Sequence, residues 1–123
     1  MKPVVLVIED NEQNMYLMRF LLKKNGFTVI EAADGISGLE IAKQEKPDLI
    51  LLDIQLPKMD GYTVARELRK IEGLNKTPII AVTSYAMSGD RERSIGSGAN
   101  GYIEKPIEPE KFIAQITEYI NNV

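Results

Sequence analysis

Leu49-Ile50-Leu51-Leu52-Asp53 is a run of four aliphatic residues closed by an acid. A strand that meets water on neither face has this composition, because helices cover both sides of a parallel sheet and no polar alternation is needed. Asp53 then stands at the carboxyl edge of the sheet, where open α/β folds keep their chemistry. Ile54-Gln55-Leu56-Pro57-Lys58-Met59-Asp60-Gly61 follows, and its Pro and Gly take the chain out of the strand in a loop. Alone, a strand-end Asp reads equally as the cap of a turn or helix. Other acids change that balance.

Val4-Val5-Leu6-Val7-Ile8 is a second run of this kind and ends in Glu9-Asp10. Ile79-Ile80-Ala81-Val82-Thr83 is another, ending in a hydroxyl, and a short strand from Gly101 to Glu104 precedes Lys105-Pro106. Phe27 to Ala32 alternates and reads as an outer strand. Helical segments fill the intervals. Asn11 to Asn14 opens one that runs to about Asn25, with Gly26 as its stop. Asp34-Gly35 opens a second, with Ile36, Leu39, Ile41 and Ala42 at helical spacing and Pro47 beyond its end. Met59 or Asp60 opens a third, with Val64, Leu68 and Ile71 inward and Gly73 closing it. Ser88-Gly89-Asp90 caps a charged fourth. Glu108-Pro109-Glu110 begins the last, whose apolar face is Phe112, Ile113, Ile116 and Ile120. Five strands alternating with five helices predict an α/β domain over residues 1–123: a doubly wound, five-stranded parallel sheet.

Composition narrows the chemistry. A chain of 123 residues supports one core, and a net charge of −3 gives no reason to expect nucleic acid or a membrane as partner. With no His there is no imidazole base or ligand, and with no Cys there is neither disulfide nor thiolate. Val4 to Ile8 is too short for a signal peptide, and no span reaches the roughly 20 apolar residues of a membrane helix.

In a parallel sheet the carboxyl ends of all strands share one edge, so Glu9, Asp10, Asp53, Thr83 and Lys105 converge there. Carboxylates about 4 Å apart repel by roughly 4 kcal/mol per pair at an effective dielectric near 20, which demands a counter-charge. Oxygen ligands without His or Cys select a hard cation such as Mg²⁺, which keeps waters and accepts phosphate oxygens. Lys105 offers a mobile cation and Thr83 a hydroxyl, both suited to the oxygens of a phosphoryl group in transit to Asp53. The plainer alternative is that Lys105 only pairs with the acids and Thr83 is an ordinary strand residue.

The strings Glu9-Asp10-Asn11, Leu52-Asp53-Ile54-Gln55-Leu56-Pro57-Lys58-Met59-Asp60-Gly61, Val82-Thr83-Ser84 and Lys105-Pro106, taken with their spacing, resemble the receiver domains of bacterial two-component response regulators. The resemblance covers essentially the whole chain. It implies the flavodoxin-like strand order 2-1-3-4-5 and a Mg²⁺-dependent transfer of phosphate to Asp53 from a histidine kinase or histidine phosphotransfer protein. It further implies that Asp10 and Asp53 ligate the metal, that Gln55 adds its backbone carbonyl, and that Glu9 acts mainly through water. Thr83 becomes the switch hydroxyl, Tyr102 the switch aromatic, and Lys105 the phosphate-binding cation before a cis peptide to Pro106. No further enzymatic activity is implied beyond self-phosphorylation and self-dephosphorylation. The run from Ala81 to Arg93 looks most like stand-alone regulators of the DivK type, although receivers of hybrid histidine kinases share similar strings. A bacterial cytoplasmic location, no direct DNA contact, and a protein target on the face of the fourth helix, fifth strand and fifth helix complete the expectation.

Three finer readings follow. Phosphorylation draws Thr83 inward and Tyr102 fills the space left. Gln55 and Tyr85, each two residues past Asp53 and Thr83, stand at the mouth of the site and set the lifetime of the phosphoryl group. The first helix carries more apolar residues than one buried stripe needs, and Met15, Met18 and Leu22 read either as a second, partner-facing stripe or as residues that only flank the fifth helix. Rival readings are poorer. Gly96-Ser97-Gly98-Ala99-Asn100-Gly101 spells a dinucleotide fingerprint, but it closes a helix where that motif opens one. A flavodoxin-like flavin carrier needs phosphate where Glu9-Asp10 repels it. An aspartyl-phosphate hydrolase needs Asp-x-Asp, and Gln55 holds the second place.

Overall fold

The computed structural model describes residues 2–84 and 89–121. Ten elements alternate: β1 (Val4–Ile8), α1 (Glu12–Lys24), β2 (Thr28–Ala32), α2 (Gly35–Glu45), β3 (Leu49–Asp53), α3 (Gly61–Lys70), β4 (Ile79–Thr83), α4 (Asp90–Gly96), β5 (Gly101–Glu104) and α5 (Pro109–Asn121). The strands form one parallel sheet in the order β2-β1-β3-β4-β5.

Continuous apolar runs make the central strands because successive side chains alternate between two buried faces. On one face Leu6, Ile8, Ile50, Leu52, Ile79 and Ala81 pack against Ala42 of α2 and Val64, Ala65 and Leu68 of α3. On the other, Val5, Val7, Leu49, Leu51, Ile80, Val82 and Ile103 meet Met18 and Leu22 of α1 and Phe112 and Ile116 of α5. Helix α2 lies close enough to β1 that a Cβ at Gly38 would stand 2.5 Å from Ile8 Cδ1. Three helices begin on the same device: Asn11, Asp34 and Asp60 each accept a hydrogen bond from the backbone N–H three residues on.

Several expectations change in detail. The outer strand begins at Thr28. Ile36 is 55% exposed, because the buried line of α2 runs through Gly35, Gly38 and Ala42. Gly89 starts α4 in a left-handed conformation without a side-chain cap, and Ser88 lies outside the described residues. The larger correction concerns α1. Met15, Met18 and Leu22 are buried in the core, and the aromatics left in solvent are Tyr16 and Phe20, 61% and 51% exposed. A Met stripe beside a Leu stripe is one wide core face, since α1 packs in one cluster with β1, β3 and α5.

Candidate functional site

Strand register brings the chemistry together. Ile8 lies beside Leu52, Asp53 beside Val82, and Thr83 beside Glu104, so the residues that end β1, β3, β4 and β5 share one edge. Oxygens of Glu9, Asp10 and Asp53 lie within 4.8 Å of one another. Glu9 and Asp53 are buried, whereas Asp10 faces solvent. Lys105 reaches in from beyond β5, its Nζ 3.0 Å from Glu9 Oε1 and 3.5 Å from Asp53 Oδ1. The Lys105–Pro106 peptide is cis, and the Lys105 N–H donates to the Thr83 carbonyl at 2.7 Å. Thr83 is fully buried at the last position of β4.

The loop after Asp53 is pinned at both ends. The Gln55 N–H donates to Asp53 Oδ1 at 2.9 Å, and the Gly61 N–H to the Ile54 carbonyl at 3.0 Å. Gly61 has to be glycine: a Cβ there would stand 2.5 Å from Ile54 Cα and 2.6 Å from the Asp53 carbonyl oxygen, both backbone atoms that have no room to yield.

Electrostatics follow from burial. Desolvation raises the Asp53 carboxyl above its ordinary value, and Glu9 beside it pushes the same way, against the Gln55 N–H and Lys105. Asp10 is also raised, by desolvation and then by Asp53. One lysine thus serves three acids. Glu9 Oε1 is buried and makes no hydrogen bond, although Lys105 sits within charge-pairing distance. An all-oxygen cluster of three carboxylates beside a single lysine fits a hard divalent cation.

Two features escaped the sequence reading. Gln55 Oε1 accepts from the Ser84 N–H at 2.9 Å and the Ser84 hydroxyl at 2.6 Å, tying the loops after β3 and β4 across the mouth of the site. Pairing β3 with β4 in register would have found it. Tyr102 is half-buried, and its hydroxyl donates to Asp90 Oδ2 at 2.8 Å; the Tyr62 hydroxyl donates to Asp90 Oδ1. No sequence signal marks Asp90 as more than a helix-start acid. Tyr85, the other residue read at the mouth, lies outside the described residues.

The geometry has close relatives. Residues 5–117 match the response regulator receiver domain family. The polar-differentiation response regulator DivK of Brucella anthropi is 42% identical over 118 residues, covering 96% of each chain. The receiver domain of the sensor histidine kinase PA1611 from Pseudomonas aeruginosa, which holds a magnesium ion coordinated in its active-site cleft, is 35% identical. It superposes with a TM-score of 0.91 over 98% of this chain and 99% of its own. A response regulator from Chloroflexus aurantiacus gives a TM-score of 0.94 at 25% identity, over 98% and 99% of the two chains. With sequence, strand order and acidic edge all in agreement, the chain belongs to the response regulator receiver domains of two-component signalling, and within them it is similar to DivK.

Proposed function

We propose that the chain is a phosphorelay switch that accepts a phosphoryl group on Asp53 from a histidine kinase or histidine phosphotransfer protein and changes its partner binding in response. The carrying observation is the meeting of Glu9, Asp10 and Asp53 within 4.8 Å, with Lys105 3.5 Å from Asp53. In the transfer, an Asp53 carboxylate oxygen forms the new bond to phosphorus while the phosphorus–nitrogen bond to the donor imidazole breaks, its electron pair and a proton remaining on that ring. The Gln55 N–H holds Asp53 Oδ1, leaving the second oxygen as the nucleophile. Lys105 meets the incoming negative charge and Thr83 offers its hydroxyl to a phosphoryl oxygen. Asp10, Asp53 and the Gln55 backbone carbonyl would hold Mg²⁺, with Glu9 acting mainly through water. When bound, that ion neutralises charge on the phosphoryl oxygens.

The phosphodonor is proposed to dock over α1, where Tyr16 and Phe20 stack at 6.4 Å with Arg19, Lys23 and Lys24 around them. The response is carried from Thr83 to Tyr102 and so to the face of α4, β5 and α5, which is read as the surface for a downstream protein. Among the described residues no helix is long and apolar enough to cross a membrane, and action in the bacterial cytoplasm without direct DNA binding is part of the proposal.

Incubation with acetyl phosphate and Mg²⁺ tests this reading. The intact mass should rise by one phosphoryl group; the gain should vanish with chelator and in Asp53→Asn. An unchanged mass, or a gain that survives Asp53→Asn, would overturn it.

A further inference from the structure

Asp90 stands outside the acidic edge, yet it is a buried carboxylate held by two phenols from two other elements. Tyr62 comes from the first turn of α3 and Tyr102 from the middle of β5, while Asp90 is the first residue of α4. The pair is braced further. The Arg93 guanidinium carbon lies 4.1 Å from the centre of the Tyr62 ring, and the Ser94 hydroxyl donates to the Asp90 backbone carbonyl at 3.0 Å. Both phenols titrate above their ordinary value, through desolvation first and then the bond to Asp90, so both remain donors throughout the physiological range.

Register says what this arrangement restrains. Tyr102 lies beside Ala81, and Thr83 is two residues further along the same strand, so Tyr102 and Thr83 share one face of the sheet as diagonal neighbours. The Tyr102 ring packs against the core on that face while its hydroxyl is held at the start of α4. A Tyr102 ring tied by its hydroxyl to Asp90 is restrained against sliding along that face.

We propose that Asp90 is a positioning residue of the switch: its carboxylate, oriented by Tyr62, latches the Tyr102 hydroxyl to α4 and opposes movement of the ring toward Thr83. This rests on the reading of Tyr102 as the switch aromatic. The latch makes α3 a participant, because Tyr62 fixes the oxygen pair that Tyr102 must leave. It also lowers the population of the arrangement that suits a phosphoryl group on Asp53, which reduces the apparent affinity for any phosphoryl mimic by the same factor.

The test is the affinity of the full chain for beryllofluoride in saturating Mg²⁺, followed by fluorine NMR, for the wild type, Asp90→Ala, Tyr102→Phe and the double variant. Asp90→Ala takes away the acceptor and Tyr102→Phe the donor of one bond, so each should bind about tenfold more tightly, and the double variant no more tightly than either. Tighter binding in Tyr102→Phe with none in Asp90→Ala would end the latch but leave Tyr102 as the switch. No change in either would end the latch while leaving the ring, which Phe keeps, as the switch aromatic. Additive effects would mean that Asp90 acts elsewhere, and weaker binding would reverse the proposed direction; either overturns it. Tyr62→Phe leaves Asp90 in place and should tighten binding to a smaller extent, so the proposal remains open to refutation if Asp90→Ala does not fold; unchanged affinity in Tyr62→Phe would then count against it.

Discussion

At the residue scale, the acidic edge sets stability against function. Asp53 and Asp10 both titrate above their ordinary value of 3.8, chiefly through desolvation, and then through Glu9 beside Asp53 and Asp53 beside Asp10. A carboxyl whose folded value is raised favours folding below its unfolded value, and that contribution is lost as pH rises through the folded one. The metal-free protein is therefore expected to lose stability from this cluster as pH climbs past the ordinary carboxylate range. Asp53→Asn removes one of the repelling charges without changing shape. At pH 7 without metal it should be more stable than the wild type by about 1 kcal/mol in urea, the advantage fading as pH approaches 4 and below. Equal or lower stability at pH 7 would mean that Lys105 already balances the cluster. The acids themselves were legible because each ends an apolar run, and strand-end position needs no tertiary knowledge. Asp90 was not, since its meaning lies in two tyrosines that are distant in sequence and only topology brings near.

At the element scale, α1 shows where periodicity stops discriminating. Met15, Tyr16, Leu17, Met18, Phe20, Leu21 and Leu22 surround so much of the helix that two stripes satisfy a spacing of three and four. What chooses between them is the partner: the face over β1, β3 and α5 is deep and irregular, and unbranched methionines fill it. Tyr16 and Phe20 are left outside, with Arg19 5.7 Å from the Tyr16 ring centre and Lys24 Nζ 5.8 Å from that of Phe20. Truncating the two classes should therefore separate stability from recognition. Met18→Ala leaves a cavity and should cost about 2–5 kcal/mol in urea unfolding, whereas Phe20→Ala should stay within about 0.5 kcal/mol. Phe20→Ala should instead slow phosphotransfer from a cognate kinase while leaving acetyl phosphate labelling intact. A large stability loss for Phe20→Ala would show that the exposed aromatic pair supports the fold.

For the whole molecule, strict alternation of strands and helices was enough to give a parallel sheet, because right-handed crossovers leave few alternatives. The order β2-β1-β3-β4-β5 places β1 and β3 side by side at the centre, which is what lets acids more than 40 residues apart in sequence meet. Assembling the sheet in this order concentrates negative charge at one edge while the chain carries a net charge of only −3, so the repulsion is local and one bound cation would relieve it. Linkage makes this measurable. A ligand that binds only the folded chain stabilises it by about 2.7 kcal/mol at a hundred times its dissociation constant, a rise of roughly 10 °C in melting temperature for a domain of this size. Titrating Mg²⁺ into chelator-treated protein should thus raise the melting temperature progressively, and chelator should return it to the starting value. Asp10→Asn should melt higher than the wild type without metal and gain less from Mg²⁺, so the two melting curves cross as the ion is added. Sodium chloride at matched ionic strength should not reproduce the crossing, because screening weakens repulsion in both proteins without needing the Asp10 oxygen. Parallel curves would place the cation elsewhere on the molecule.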